Sequence, residues 1–96
     1  MINTKIKEQL KRMLLMQAIL ETLEQSDSGY IPQGHCYMAM SSMVNLHQFE
    51  LLIDMLRNCK AIETTSETIS KGIKFDKILS AMKRVETKLK EQRIIS

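Results

Sequence analysis

The chain has no tryptophan, two tyrosines, two phenylalanines, one proline, three glycines and two cysteines among its 96 residues. Each scarcity closes off something. With four aromatic side chains, the core is left to aliphatic residues and to the eight methionines. Met13, Met16, Met40, Met55 and Met82 are expected to fill gaps in it, as an unbranched thioether does well. The glycines at 29, 34 and 72 are scattered, so no glycine-rich loop is present to cradle a phosphate. Cys36 and Cys59 fit no zinc-ligand spacing, and His35 and His47 do not complete one. Both cysteines are expected to be small buried hydrophobes. His35 and Cys36, adjacent on a helix, point in different directions and form no nucleophile–base pair. GxSxG, HExxH and calcium-loop patterns are missing. The expectation is a protein that is not an enzyme and holds no metal or cofactor.

Nothing approaches the roughly 18 consecutive apolar residues of a membrane span. The opening "MINTKIKEQLKRMLLMQAIL" carries five charges, and its apolar run is interrupted by Gln17 and lacks a small-residue cleavage site. A secretory signal is therefore not expected, and a cytoplasmic protein without membrane contact is.

What is present is enough for one compact domain: 44% hydrophobic and 26% charged residues are ordinary for a folded chain. A domain this small gains from burying more surface against a second copy. The formal net charge is +3, unevenly placed. Residues 1–27 are neutral and 28–70 hold two basic against four acidic residues, whereas 71–96 hold eight basic against three acidic.

Along the chain, residues 4–25 contain no proline or glycine and read as a helix. Its apolar residues pass almost round the helix between Met13 and Leu20, which calls for cover on more than one face. "SDSGYIP" breaks it, and Tyr30 and Ile31 before Pro32 favour a short extended bridge. A short helix comes next over 33–40 with Cys36, Tyr37 and Met40 inward. A turn, "SSMVN", leads to a helix over 46–58 with Asn45 as N-cap. Its apolar face is Leu46, Phe49, Leu52, Ile53 and Leu56, the last four expected in the core against Leu14 and Tyr37. "AIETT" and "TIS" read as a small hairpin closed by Lys71 and Gly72. A last helix over 75–93 carries Phe75, Ile78, Met82, Val85 and Leu89 at alternating spacings of three and four, a coiled-coil-like seam.

This order, with the stretches "GYIPQGHCYMAM", "FELLIDMLRNCKAIE", "TIS" and "KG", resembles that of winged-helix domains. The resemblance covers residues 4–72, and the final helix resembles the dimerisation helix appended to many such regulators of bacteria and archaea. It implies a mainly α fold with a small β-hairpin: a winged helix-turn-helix domain over 1–72 and a dimerisation helix over 73–96. It also implies a DNA-binding protein, a transcription regulator or mobile-element accessory factor, with the third helix in the major groove of double-stranded DNA. Carried over, the DNA-contacting residues are His47, Gln48 and Leu51 on that helix and Thr65, Ser66 and Lys71 on the wing. A homodimer is expected to use Leu10 and Met13 of the first helix and Phe75, Ile78, Met82, Val85 and Leu89 of the last. Basic groups on the terminal helices, such as Lys5, Lys11, Arg12, Lys83, Arg84 and Lys88, are expected to be available to flanking phosphates. Glu50, Asp54 and Glu67 depart from the pattern, since carboxylates repel phosphates where DNA affinity rests on Lys and Arg. The competing expectation is a winged-helix module that docks a protein partner and binds no DNA.

Overall fold

Gly29 takes a left-handed backbone (φ 81°), and with it the chain turns out of the first helix. The hydroxyls of Ser26 and Ser28 donate to the Tyr30 carbonyl at 2.7 and 3.0 Å and set the direction of the first strand. The computed structural model describes the backbone of residues 4–95 and the side chains of residues 7–88. Its elements are α1 (Thr4–Glu24), β1 (Tyr30–Pro32), α2 (Gln33–Met40), α3 (Leu46–Asn58), β2 (Ile62–Thr64), β3 (Thr68–Lys71) and α4 (Phe75–Ile95). The chain is thus mainly helical, with a small antiparallel sheet in the order β1-β3-β2. The expected hairpin is β2–β3, and the extended bridge is β1, which adds to β3 with Ile31 opposite Ile69. Pro32, which has no N–H to donate, lies on an edge strand. Among the described residues no helix is long and apolar enough to cross a membrane.

α3 has well-defined ends. Asn45 and Gln48 form a reciprocal capping box at its start. At its end the Ala61 N–H reaches the Leu56 carbonyl (3.0 Å) and the Lys60 N–H reaches that of Arg57 (3.1 Å), a Schellman arrangement. Lys60 takes the left-handed position usually given to glycine (φ 67°). Gly72 lies against this turn so closely that a Cβ there would sit 2.4 Å from the Lys60 carbonyl oxygen. A side chain at 72 is therefore excluded, which ties the end of the hairpin to the end of α3.

Ile19, Leu20, Leu23, Leu56, Ile62 and Ile69 are fully buried and form the centre of the core. α4 packs antiparallel on α1. Lys83 meets Glu24 at 3.5 Å, while three residues further along α4 Glu86 accepts a 3.1 Å hydrogen bond from Gln17. Gln17 is itself buried and donates also to Glu21 at 2.8 Å. Its carbonyl oxygen has no partner among the described residues.

Several expectations need correction. Phe75, assigned to a dimer seam, is buried in the chain's own core together with Leu79, and Ile78 and Met82 pack against that core. The spacing of three and four is satisfied by α1 of the same chain. Of the remaining expected interface residues, Leu10 and Met13 are half-buried on the face of α1 that carries Gln17, Val85 is exposed, and the Leu89 side chain lies outside the described residues. Leu15, not Leu14, enters the core. Leu46 is exposed because the capping turn, not the core, borders the first residue of α3. Phe49, Leu52, Ile53 and Leu56 are buried as expected, and Tyr37 meets Phe49 with ring centroids 5.3 Å apart.

Leu56→Ala should cost about 2–5 kcal/mol in urea denaturation, the range for a fully packed leucine. Leu14→Ala should stay within about 0.5 kcal/mol, as solvent-side substitutions do. Equal losses would mean that α1 is rotated from this phase.

Candidate interface on the third helix

The buried stripe of α3 leaves an outward face that divides into two flanks. Toward α1 lie Gln48, Leu51 and Met55, at spacings of three and four. Toward the hairpin lie Glu50, Asp54 and Arg57, with the same spacings. Leu51 and Met55 are 50% and 43% exposed.

The first flank forms one wall of a groove of about 520 Å³ whose other wall is α1. Leu15, Val44 and Leu52 floor it, with Met43 at one end and Lys11 and Arg12 on the α1 lip. The second flank borders a cleft of about 320 Å³ against the hairpin, reached by Thr65 and Ser66. Arg57, the one Lys or Arg of α3, pairs with Asp54 and also reaches the Thr64 hydroxyl at 3.4 Å. It is therefore held across α3 and β2 between partners already in place.

The hairpin tip is drawn in as well. The Thr65 hydroxyl accepts the N–H groups of Glu67 (3.2 Å) and Thr68 (3.0 Å), organising the turn. The Gln33 N–H donates to the Glu67 carbonyl (2.8 Å) and its carboxamide to that of Thr65 (2.7 Å). The tip is bolted to the first residue of α2.

The residues expected to read DNA are consequently not one surface. His47 is exposed at the start of α3. Gln48 accepts the Asn45 N–H on its carboxamide oxygen (3.0 Å), while its own N–H donates to the Asn45 side chain (2.8 Å). Bonding an adenine edge with both ends of that carboxamide would compete with the cap. Leu51 faces the α1 groove, whereas Thr65 and Ser66 line the cleft on the opposite flank. Lys71 is at the far end of β3 from the tip, its Nζ 5.1 Å from the Phe75 ring centroid. Sequence reasoning misses two groove residues, Met43 in the turn and Met55, which is expected in the core and is half-exposed instead. A signal for Met55 exists: it stands four residues after Leu51, off the buried stripe.

Comparison with protein-family models, with curated proteins and with solved structures finds no match to this chain.

The described residues contain no cluster of three or more potential metal ligands. Cys36 is buried, and burial pushes its thiol up to about 11. Cys59, expected in the core, is exposed at the helix end, where its thiol points at the Leu56 carbonyl 3.3 Å away. At pH 8, iodoacetamide should label one cysteine in the folded protein, Cys59, and the second only in denaturant, since the thiolate is the nucleophile. Rapid double labelling of the native chain would contradict the placement of Cys36. Asn45→Ala should remove about 1 kcal/mol of stability through the lost cap, measurable in urea; no loss would free Gln48 for another role.

Proposed function

We propose that the chain is a small winged-helix module whose third helix docks a protein, and that it is not a conventional reader of the DNA major groove. The order helix, strand, helix, turn, helix, hairpin supports the winged-helix part, as does the return of β3 between β1 and β2. The observation that carries the docking part is the outward face of α3. It offers two half-exposed apolar side chains, two carboxylates and one already paired arginine. A DNA-reading helix works beside phosphates that demand unpaired cations, whereas a half-exposed Leu–Met pair gains by being covered.

A second reading is favoured by α4. Lys77, Arg84 and Lys88 are exposed at spacings of seven and four, on one stripe of the helix. Lys83, beside them, is engaged with Glu24. Such a stripe suits phosphate contact without sequence readout.

Fluorescence anisotropy with a mixed-sequence duplex tests both. If α4 binds phosphates through three cations, affinity should fall roughly 40-fold between 50 and 200 mM salt, from a slope of about −0.9 per contact. The triple reversal Lys77→Glu, Arg84→Glu, Lys88→Glu should abolish that binding, while His47→Ala and Ser66→Ala leave it unchanged. A sequence-selective complex lost in His47→Ala or Ser66→Ala would overturn the proposal.

A further inference from the structure

The groove between α1 and α3 has an asymmetric chemistry. Its apolar floor, Leu15, Val44 and Leu52, is continuous with the half-exposed Leu51 and Met55 on the α3 wall. The opposite lip carries Lys11 and Arg12, both exposed and without an ion pair among the described residues. Glu8, one turn earlier on the same lip, is the single carboxylate lining the groove among the described residues. The other nearby carboxylates, Glu50 and Asp54, line the cleft on the far flank of α3, so the α3 wall sets no carboxylate against the two cations across the groove. The α3 wall contributes Gln48, whose carboxamide oxygen is held in the capping box.

An apolar trough with cations along one lip is complementary to a helix that is apolar on one face and acidic on one flank. Helices dock in such grooves through side chains at i, i+3, i+4 and i+7, and opposite charges along the rim set orientation and suppress wrong partners. Met43 and Met55 give the groove unbranched, adaptable walls. We infer that the α1–α3 groove is the docking site for an amphipathic helix of a partner protein, its carboxylates facing Lys11 and Arg12. This rests on the reading of α3 as a protein-docking surface and adds the flank, the partner's shape and its charge. Glu8 fixes the polarity: the acidic flank lies beside the Lys11–Arg12 turn and away from the preceding one.

Two synthetic 15-residue peptides with the same leucine face, one flanked by glutamates and one by lysines, test this. Each is titrated into the ¹⁵N-labelled chain at about 50 mM salt, where exposed charges are only partly screened. The glutamate peptide should bind about tenfold more tightly or better, as two favourable and two reversed surface contacts allow. Its amide shifts should centre on Lys11, Leu51 and Met55. Lys11→Glu with Arg12→Glu should reverse the preference. Leu51→Asp, at a half-exposed position that the fold tolerates, should abolish binding while the rest of the spectrum stays native. Preferential binding of the lysine peptide, with shifts at Glu50 and Asp54, would overturn the groove assignment and leave the docking reading standing. Binding of neither peptide, with duplex DNA shifting His47 and Leu51, would overturn both. Concentration-dependent self-association with shifts at Leu51 and Met55 before any peptide is added would assign the groove to a second copy and overturn the inference. Absence of any binding or self-association would overturn it as well.

Discussion

Burying Phe49, Leu52, Ile53 and Leu56 on one stripe fixes the phase of α3, and nearly everything else about this molecule depends on that phase. It sends Leu51 and Met55 toward α1, and Glu50 and Asp54 toward the hairpin. The two ends of the helix hold it there. The capping box at Asn45 decides where it starts, and the left-handed Lys60 turns the chain so that Ala61 and Ile62 enter the core. Gly72, with no side chain to keep it away, then lets the hairpin close against that turn and aims α4 back along α1. A left-handed lysine carries some strain, which the buried Leu56–Ala61 contact offsets.

The pairing of α1 with α4 is the second consequence. A helix apolar on several sides, such as α1, needs several neighbours, and the chain supplies them itself with α3, the sheet and α4. The seam of α4 is thereby largely occupied from within. Its charged side, Lys77, Arg84 and Lys88, is left outward. Inside the pair, Gln17 donates to two carboxylates from two helices. The buried amide donor reaches both carboxylates only in one register, so it favours a single sliding position of α4 on α1.

Much of this was legible in the sequence because the punctuation is chemically decisive. Pro32 starts α2 and Asn45 starts α3, so the expected spans of both match the observed ones. The β-branched pieces around Ile62 and Ile69 formed strands because each is too short to bury a helical face. The misreadings share a cause. On α1 the apolar residues go nearly all round, and periodicity alone does not distinguish Leu14 from its neighbour Leu15, though the two point about 100° apart. On α4, a stripe that fits a partner helix fits an internal one equally well. The candidate site suffered most: the double engagement of Gln48 and of Arg57 depends on local geometry that composition does not encode. The acidic character of α3, by contrast, was plain in the residues, and the folded chain concentrates it on one flank.

On the proposed reading, DNA and a protein partner would use different surfaces. α3 presents apolar side chains on a capped helix beside a cationic lip, and α4 presents the stripe Lys77, Arg84 and Lys88. Amide-shift mapping of the ¹⁵N-labelled chain with a mixed-sequence duplex at about 50 mM salt, where phosphate contacts are strongest, separates these roles most directly. The account predicts that any shifts cluster along α4 near Lys77, Arg84 and Lys88, leaving His47, Leu51 and Ser66 unmoved. Shifts concentrated at His47, Leu51 and Ser66 would contradict it.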